Sequence, residues 1–444
     1  MSFSCLRLLA FCLGLVLSNS LSAQPLEVLY SRALERNEPY LTALTRAKSS
    51  LSALRQTASQ AWPTVGLGFD VSVGAFPQII GFDEGEDAEN PERLPFLNQS
   101  NSFSLSIAQQ IFQFGRLDAE LERDDWQNRA AWLSVAQAQS QVHRDIALAY
   151  LNARSTNVLL QIRQVQLDLL ASRLNTVQRR VDEGFLDRND LLASFSELRS
   201  GQIAVVEQRR VADIARADLA RVTFRAEVQV EEAALANLVG RLPSNLDQSL
   251  LFAQSNNIDI LIAETLVRAA RAGEWAVARS GLPSLSWNAS HSRGLNYNRQ
   301  FDDPFAENNG ISTNGSRDTS LGISLSVPLF AGGRELERRN LARDEVQLAM
   351  RQLNATRDGI LAEIRRLWAV KEAEEAALAQ WFQLVGLEQE RVNNAERLLE
   401  EGFTNLEDTI QARARLQELQ FQVAQTSTNL ANAKLEILHI LGML

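Results

Sequence analysis

The feature that most constrains this chain is that it repeats itself at long range. Gly184-Phe185 recurs as Gly402-Phe403, Phe112 as Phe330, and Gly115-Arg116 as Gly333-Arg334, each 218 positions apart. The apolar heptad positions Leu160, Leu167, Leu174 and Val181 are matched at the same offset by Leu378, Val385, Val392 and Leu399. Upstream the offset becomes 220, pairing Asn37 with Asn257, Leu41 with Leu261 and Pro63 with Pro283. The change of two residues falls where loops are expected, over 77–101 and 297–317, and loops absorb such changes easily. Chance likeness between Ala/Leu/Arg-rich helices does not explain the Gly-Phe and Phe-x-x-Gly-Arg marks. The chain is therefore two copies of one supersecondary unit.

Each copy reads as helix, strand, loop, strand, very long helix, tight turn, helix. The strands alternate with period two, as half-buried strands do. Val65, Leu67, Phe69, Val71 and Val73 alternate with Gly66, Gly68, Asp70, Ser72 and Gly74. Phe103, Leu105 and Ile107 alternate with serines, as do Leu321, Ile323, Leu325 and Val327 with Ser320, Gly322, Ser324 and Ser326. The expected strands are 62–76, 102–112, 282–296 and 318–330. A soluble sandwich normally carries long charged side chains on its outer face. Here the polar face is Ser, Gly and Asn, which suits a wet barrel lumen. Four strands cannot close, and an open edge in lipid leaves backbone groups unpaired. The pattern therefore calls for several chains sharing one barrel.

The expected long helices, 117–182 and 335–400, contain no proline. At 1.5 Å per residue each reaches roughly 100 Å. Their heptad spacing calls for coiled-coil partners, and a second stripe (Leu361, Trp368, Phe382, Leu387) calls for contacts on another side. The expected organisation is a secretory signal at 1–23, a first repeat at 24–222, an inter-repeat segment at 223–257 and a second repeat at 258–444.

The signal reading rests on Arg7, the apolar run 8–17 and a small-residue site ending at Ala23. Both cysteines, Cys5 and Cys12, lie inside it, so the remaining chain has no disulfide, thiol nucleophile or thiolate metal site. Without Arg7 there are 43 basic and 54 acidic residues, net −11, which argues against nucleic acid as a partner. No downstream window is apolar enough for a spanning helix, so entry into a bilayer would be by strands. No catalytic, cofactor or metal constellation stands out. His143, His291 and His439 lack ligand spacing, the strand serines lack a nucleophile elbow, and "GLGFDV" breaks off after its second glycine. The acidic loops 82–92 and 301–307 read as solvated, with divalent cations as the alternative.

The order of elements, "VPLFAGGR" (327–334), "RLLEEGFTNLEDTIQAR" (397–413), "RRVDEGFLDRNDLLAS" (179–194) and "ALERNEPYLTALTRA" (33–47) together resemble the TolC-like outer-membrane efflux protein family. The resemblance spans nearly all of the chain after the signal. It implies an α+β membrane fold: a homotrimer with a shared twelve-stranded barrel in the outer membrane, four strands per chain, and an α-helical tunnel in the periplasm. It implies as partners outer-membrane lipid, a periplasmic adaptor and an inner-membrane transporter, in a tripartite efflux or type I secretion system. Pro328, Gly332 and Gly333 then form a corner where a strand becomes a tunnel helix, with Gly115 in the matching corner. In repeat one Gln110 stands for the proline and Phe114 for the first glycine, so that corner is looser in sequence and its geometry is less closely determined by it.

The tips Gly184, Phe185, Leu186 and Gly402, Phe403, Thr404 are expected to dock the adaptor; the plainer reading packs both phenylalanines against their own helices. Asp190 and Asp408 are expected either to cap helices or to ring a periplasmic aperture, with Gln411 where relatives carry a second acid. The tyrosine and arginine that lock relatives shut correspond here to Leu399 and Thr404, so a different closure is expected, with Arg397, Arg180 and Arg188 as candidates. A soluble periplasmic coiled-coil adaptor or scaffold is the rival reading, and a periplasmic enzyme a weaker one. In such a duct the cargo is selected upstream.

Overall fold

The computed structural model describes residues 26–79, 93–225, 242–300, 311–401, 403 and 406–443. Expectations for the signal 1–23, the acidic loops, Gly402 and Thr404 lie outside these residues. The element order is α1 (Leu26–Leu34), α2 (Glu38–Ser59), β1 (Thr64–Ile79), β2 (Arg93–Phe112), α3 (Arg116–Asp182), α4 (Arg188–Thr223), α5 (Leu246–Asn256), α6 (Ile258–Arg279), β3 (Ser284–Gln300), β4 (Ile311–Ser326), α7 (Arg334–Glu400) and α8 (Leu406–Ile440). The chain divides into two compact units. Of the described residues, one takes in 26–47, 130–225, 242–264 and 352–443, the other 48–79, 93–129, 265–300 and 311–351.

The first unit is helical, and its packing obeys the repeat offset residue by residue. In repeat one Ala33, Val142 and Ile146 are buried together with Val222 against them. In repeat two Ala253, Ile364, Trp368 and Ile437 are buried with Ile440 against them. Ala33 and Ala253 are 220 apart; Ile146 and Ile364, and Val222 and Ile440, are 218 apart. Asn37 and Asn257 do the same work as well. Asn37 Oδ1 accepts from the Tyr40 N–H at 3.0 Å, and Asn257 Oδ1 accepts from the Ile260 N–H at 3.0 Å. Each supplies an acceptor to a helix start that would otherwise leave donors unpaired.

α3 and α7 are each 67 residues long. The heptad positions pack as expected: Val392 is buried with Ala412 and Leu416, and Val385 lies against them. At Gly201 a Cβ would come within 2.7 Å of Leu170 Cδ1, so α4 approaches α3 closely there. The second stripe on α7 divides. Trp368 is in the core, whereas Phe382 and Leu387 are exposed.

The second unit contains one antiparallel four-stranded sheet in the order β1-β2-β3-β4. The repeats are joined edge to edge by the β2–β3 pairing. One face carries Val65, Leu67, Phe69, Val71, Leu321, Ile323 and Leu325, all exposed. The other is built from small residues. A Cβ on Gly66 would stand 2.9 Å from Ser106 Oγ, and one on Gly68 2.7 Å from Ser104 Oγ. The strands are 16, 20, 17 and 16 residues long, longer than the alternation shows. They continue into 77–79, 93–101, 297–300 and 311–317, which the sequence reading assigned to loops. Backbone pairing persists there without the apolar alternation that marks a strand from sequence. β4 also stops at Ser326, ahead of Pro328, which cannot donate to a ladder.

Candidate functional site: the helix tips and the strand-to-helix corners

The first tip is a Schellman turn. The Phe185 N–H donates to Arg180 O at 2.8 Å and the Gly184 N–H to Val181 O at 3.0 Å, with Gly184 at φ +80°. A glycine takes this left-handed position at least cost. The residue after it usually packs back on the helix, but that place faces Arg180, and Phe185 is 77% exposed. In the second tip the Phe403 N–H donates to Leu398 O at 2.8 Å, the same six-to-one bond, and Phe403 is 79% exposed. Neither phenylalanine packs on its own helix. Leu186 is half-buried beside Phe185.

α4 starts with a reciprocal cap. Asp187 Oδ1 accepts from the Asn189 and Asp190 N–H groups, and Asp190 Oδ2 accepts from the Asp187 N–H at 3.2 Å. Asp190 is therefore used by the helix start. Asp408 lies in the first turn of α8, with Gln411 one turn on, and both are exposed.

The sequence reading did not find Arg173. Its guanidinium pairs with Glu197 of α4 and, at 3.1 Å, with Glu407 of α8. Glu407 also faces Arg180 at 3.7 Å. Three helices are thus tied near the tips by two arginines and two glutamates. Arg413 donates twice to Glu396 Oε1, at 2.9 and 2.6 Å, tying α8 to α7. Of the candidates for closure, Arg180 belongs to this cluster, while Arg188 and Arg397 are exposed.

The corners are built alike. Gly332 and Gly333 have φ +60° and +83°; Phe114 and Gly115 have φ +48° and +76°. The Arg334 N–H donates to Ala331 O at 3.2 Å, and the Arg116 N–H donates to Gln113 O at 3.1 Å. The first corner, though looser in sequence, thus makes the same backbone turn as the second. Phe114 accepts the left-handed conformation and sets its ring edge-on to Phe112, with centroids 4.6 Å apart. A bulge between Gln110 and Phe112 shifts the register just before the turn. Gly115 has a second constraint, since a Cβ there would meet Arg279 Nε at 3.4 Å. Around the second corner, Leu329 and Phe330 are about nine-tenths exposed.

The histidines have separate roles. His143 stacks on Tyr30 with centroids 4.2 Å apart. His291 Nδ1 pairs with Thr319 Oγ1 at 2.8 Å. His439 Nδ1 pairs with Ser140 Oγ at 3.1 Å, and burial lowers its pKa to about 4.

A family model described as "Outer membrane efflux protein" matches residues 252–443, which takes in almost all of the second repeat and the last residues before it. The outer membrane protein TolC of Vibrio cholerae is 20% identical over 433 residues, covering 96% of this chain and 91% of that protein. Among solved structures, the transmembrane channel CusC aligns with a TM-score of 0.73 at 17% identity, over 94% of this chain and 91% of that one. The outer membrane protein VceC of Vibrio cholerae aligns at 0.69 and 18% identity, over 94% and 96%. The open-state outer membrane channel MtrE of Neisseria gonorrhoeae aligns at 0.71 and 18% identity, over 94% and 88%.

Proposed function

We infer function from one premise: this chain belongs to the TolC-like outer-membrane efflux protein family, and it is an outer-membrane exit duct of an efflux system. The observation that carries the reading is the sheet. Its apolar face is exposed, its opposite face is small and polar, and β1 and β4 leave two unpaired edges. Such edges are untenable in lipid unless neighbouring chains pair with them. Three chains supply twelve strands, enough to leave a water-filled lumen. The helices support the same assembly. Leu192, Ile203 and Ile214 of α4 are exposed at eleven-residue spacing, which keeps a stripe nearly straight along a helix, and Phe382 and Leu387 of α7 are exposed as well. A second copy of the chain covers these faces.

The duct conducts passively. A periplasmic adaptor docks on the tips, with Phe185 and Phe403 as apolar anchors beside Gly184, Leu186, Gly402 and Thr404. An inner-membrane transporter upstream supplies the cargo. Closure of the periplasmic end rests on Arg173, Arg180, Glu197 and Glu407, in place of the tyrosine–arginine lock of relatives. Asp408 lines the aperture, and threefold repetition of an acid there favours cations; Gln411 leaves that ring single. Asp190 contributes mainly by capping α4.

Planar-bilayer recording of the purified mature chain tests the duct. Discrete cation-preferring steps are expected. Glu407→Gln leaves Arg173 and Arg180 without their shared acid and is expected to raise closed-state conductance severalfold. A chain that stays in solution without detergent and gives no conductance would overturn the duct and favour the soluble adaptor reading.

A further inference from the structure

We propose that the lipid-facing side of β3 and β4 carries a binding site for the phosphate of an outer-leaflet lipid headgroup, formed by Arg293 and Arg317. The proposal rests on the barrel reading above, since it needs the apolar face to meet lipid. Register places the two arginines directly opposite one another, in the row Phe69–Phe103–Arg293–Arg317. Residues in such a row share one face of the sheet. Phe69 and Phe103 identify it as the apolar, exposed face. Both arginines are exposed, and the next row toward the helices holds His291, paired to Thr319.

Two like charges facing each other across a strand pair are unfavourable without a counterion. Among the described residues this face supplies none. Asp70 and Asp318 lie at the alternate positions, opposite Ser102 and Ser292, and so on the small-residue face. Neither arginine makes an ion pair with a described residue. The anion must therefore come from outside the sheet.

Height along the barrel identifies the source. Arg293 is eight residues from Leu285, and Arg317 is eight from Leu325; these leucines are register partners at the helix-proximal end. Eight residues span about 27 Å of strand, or about 20 Å of height at a tilt of about 40°. The apolar band of such barrels is about 25 Å tall. The guanidinium groups thus stand near its far rim, in the leaflet away from the helices, where long cationic side chains reach the headgroups. Phosphates lie at that level. Paired guanidinium groups suit them, because each offers a planar fork of donors to phosphate oxygens.

The test is competition for a fluorescent bisphosphorylated lipid A bound to the full mature chain in detergent. Three competitors are compared: unlabelled lipid A, the same lipid with its phosphates removed, and inorganic phosphate. Lipid A is expected to compete, and the dephosphorylated lipid to compete at least tenfold more weakly. The Arg293→Gln/Arg317→Gln double variant is expected to lose tenfold or more in affinity, and Arg293→Lys/Arg317→Lys, which keeps the charge but not the fork, to fall between it and the wild type. Unchanged binding by the glutamine variant, or equal competition by the dephosphorylated lipid, overturns the site. Inorganic phosphate competing as well as lipid A overturns the lipid assignment. Failure of the wild-type chain to enter phosphatidylethanolamine vesicles would instead condemn the barrel reading, a separate result.

Discussion

The two repeats solve the same backbone problem with different residues. Among the described residues two non-glycine positions have a left-handed φ, Phe114 at +48° and Phe224 at +55°. Their counterparts 218 residues on are Gly332 at +60° and Gly442 at +71°. Repeat one thus places phenylalanine twice where repeat two places glycine. The left-handed region costs an ordinary residue roughly 1–2 kcal/mol, so the local preference of phenylalanine is overruled at both places. At Phe114 the edge-on contact with Phe112 offsets part of the cost. At Phe224 the N–H still donates to Ala220 O, closing α4 as a glycine would. The surrounding elements fix these turns, and glycine is the cheapest occupant of such a position.

Valine at the second left-handed position of each corner would break the comparison most severely. Gly115→Val should cost about 3 kcal/mol or more and prevent assembly, because it combines a left-handed φ with the Arg279 side chain. Gly333→Val meets open space and should cost less; gel retention of the assembled oligomer reports both. Gly442→Ala comes next, at about 2 kcal/mol, since its Cβ would lie 3.1 Å from Asn256 O. The mirror change, Phe224→Gly, should stabilise by up to about 1 kcal/mol, read as a rise in the temperature at which helical circular dichroism is lost.

At the first corner the terms nearly cancel. Phe114→Gly relieves strain but loses an aromatic pair of about 0.5–1.5 kcal/mol, so stability should barely move. Phe114→Ala keeps the strain, loses the pair and should fall by about 1 kcal/mol. The smallest effect concerns pH and only repeat two, because His439 corresponds to Arg221 in repeat one. His439 packs against Ser140, with Arg144, Asp145 and Glu436 around it. Burial lowers its pKa to about 4 in the folded chain, and the Arg144 charge adds to this. The unfolded chain therefore binds the proton first. Stability should be unaffected above pH 6.5 and fall as pH drops from about 6.5 to about 4. His439→Gln should flatten the part of that fall which His439 carries.

Much of this molecule was legible in its sequence because its signals are periodic. The 218-residue offset, the heptads and the strand alternation each follow from a geometry that repeats, and they led to the long helices and the four-stranded sheet. What escaped had no period. Arg173 and Glu407 are 234 positions apart, and nothing local marks either as part of a cluster. The outer ends of the strands lack apolar alternation, so their pairing did not show. At the first corner residue preference and geometry come apart, since Phe114 takes the left-handed turn that Gly332 takes in repeat two.

The central claim is that the four strands of one chain are part of a barrel that other copies complete. Native mass spectrometry of the detergent-extracted mature chain tests it most directly. The account predicts a complex of three chains that needs detergent to stay in solution. A single chain, soluble without detergent, would contradict it, because the sheet would then have neither lipid on its apolar face nor partners at its edges.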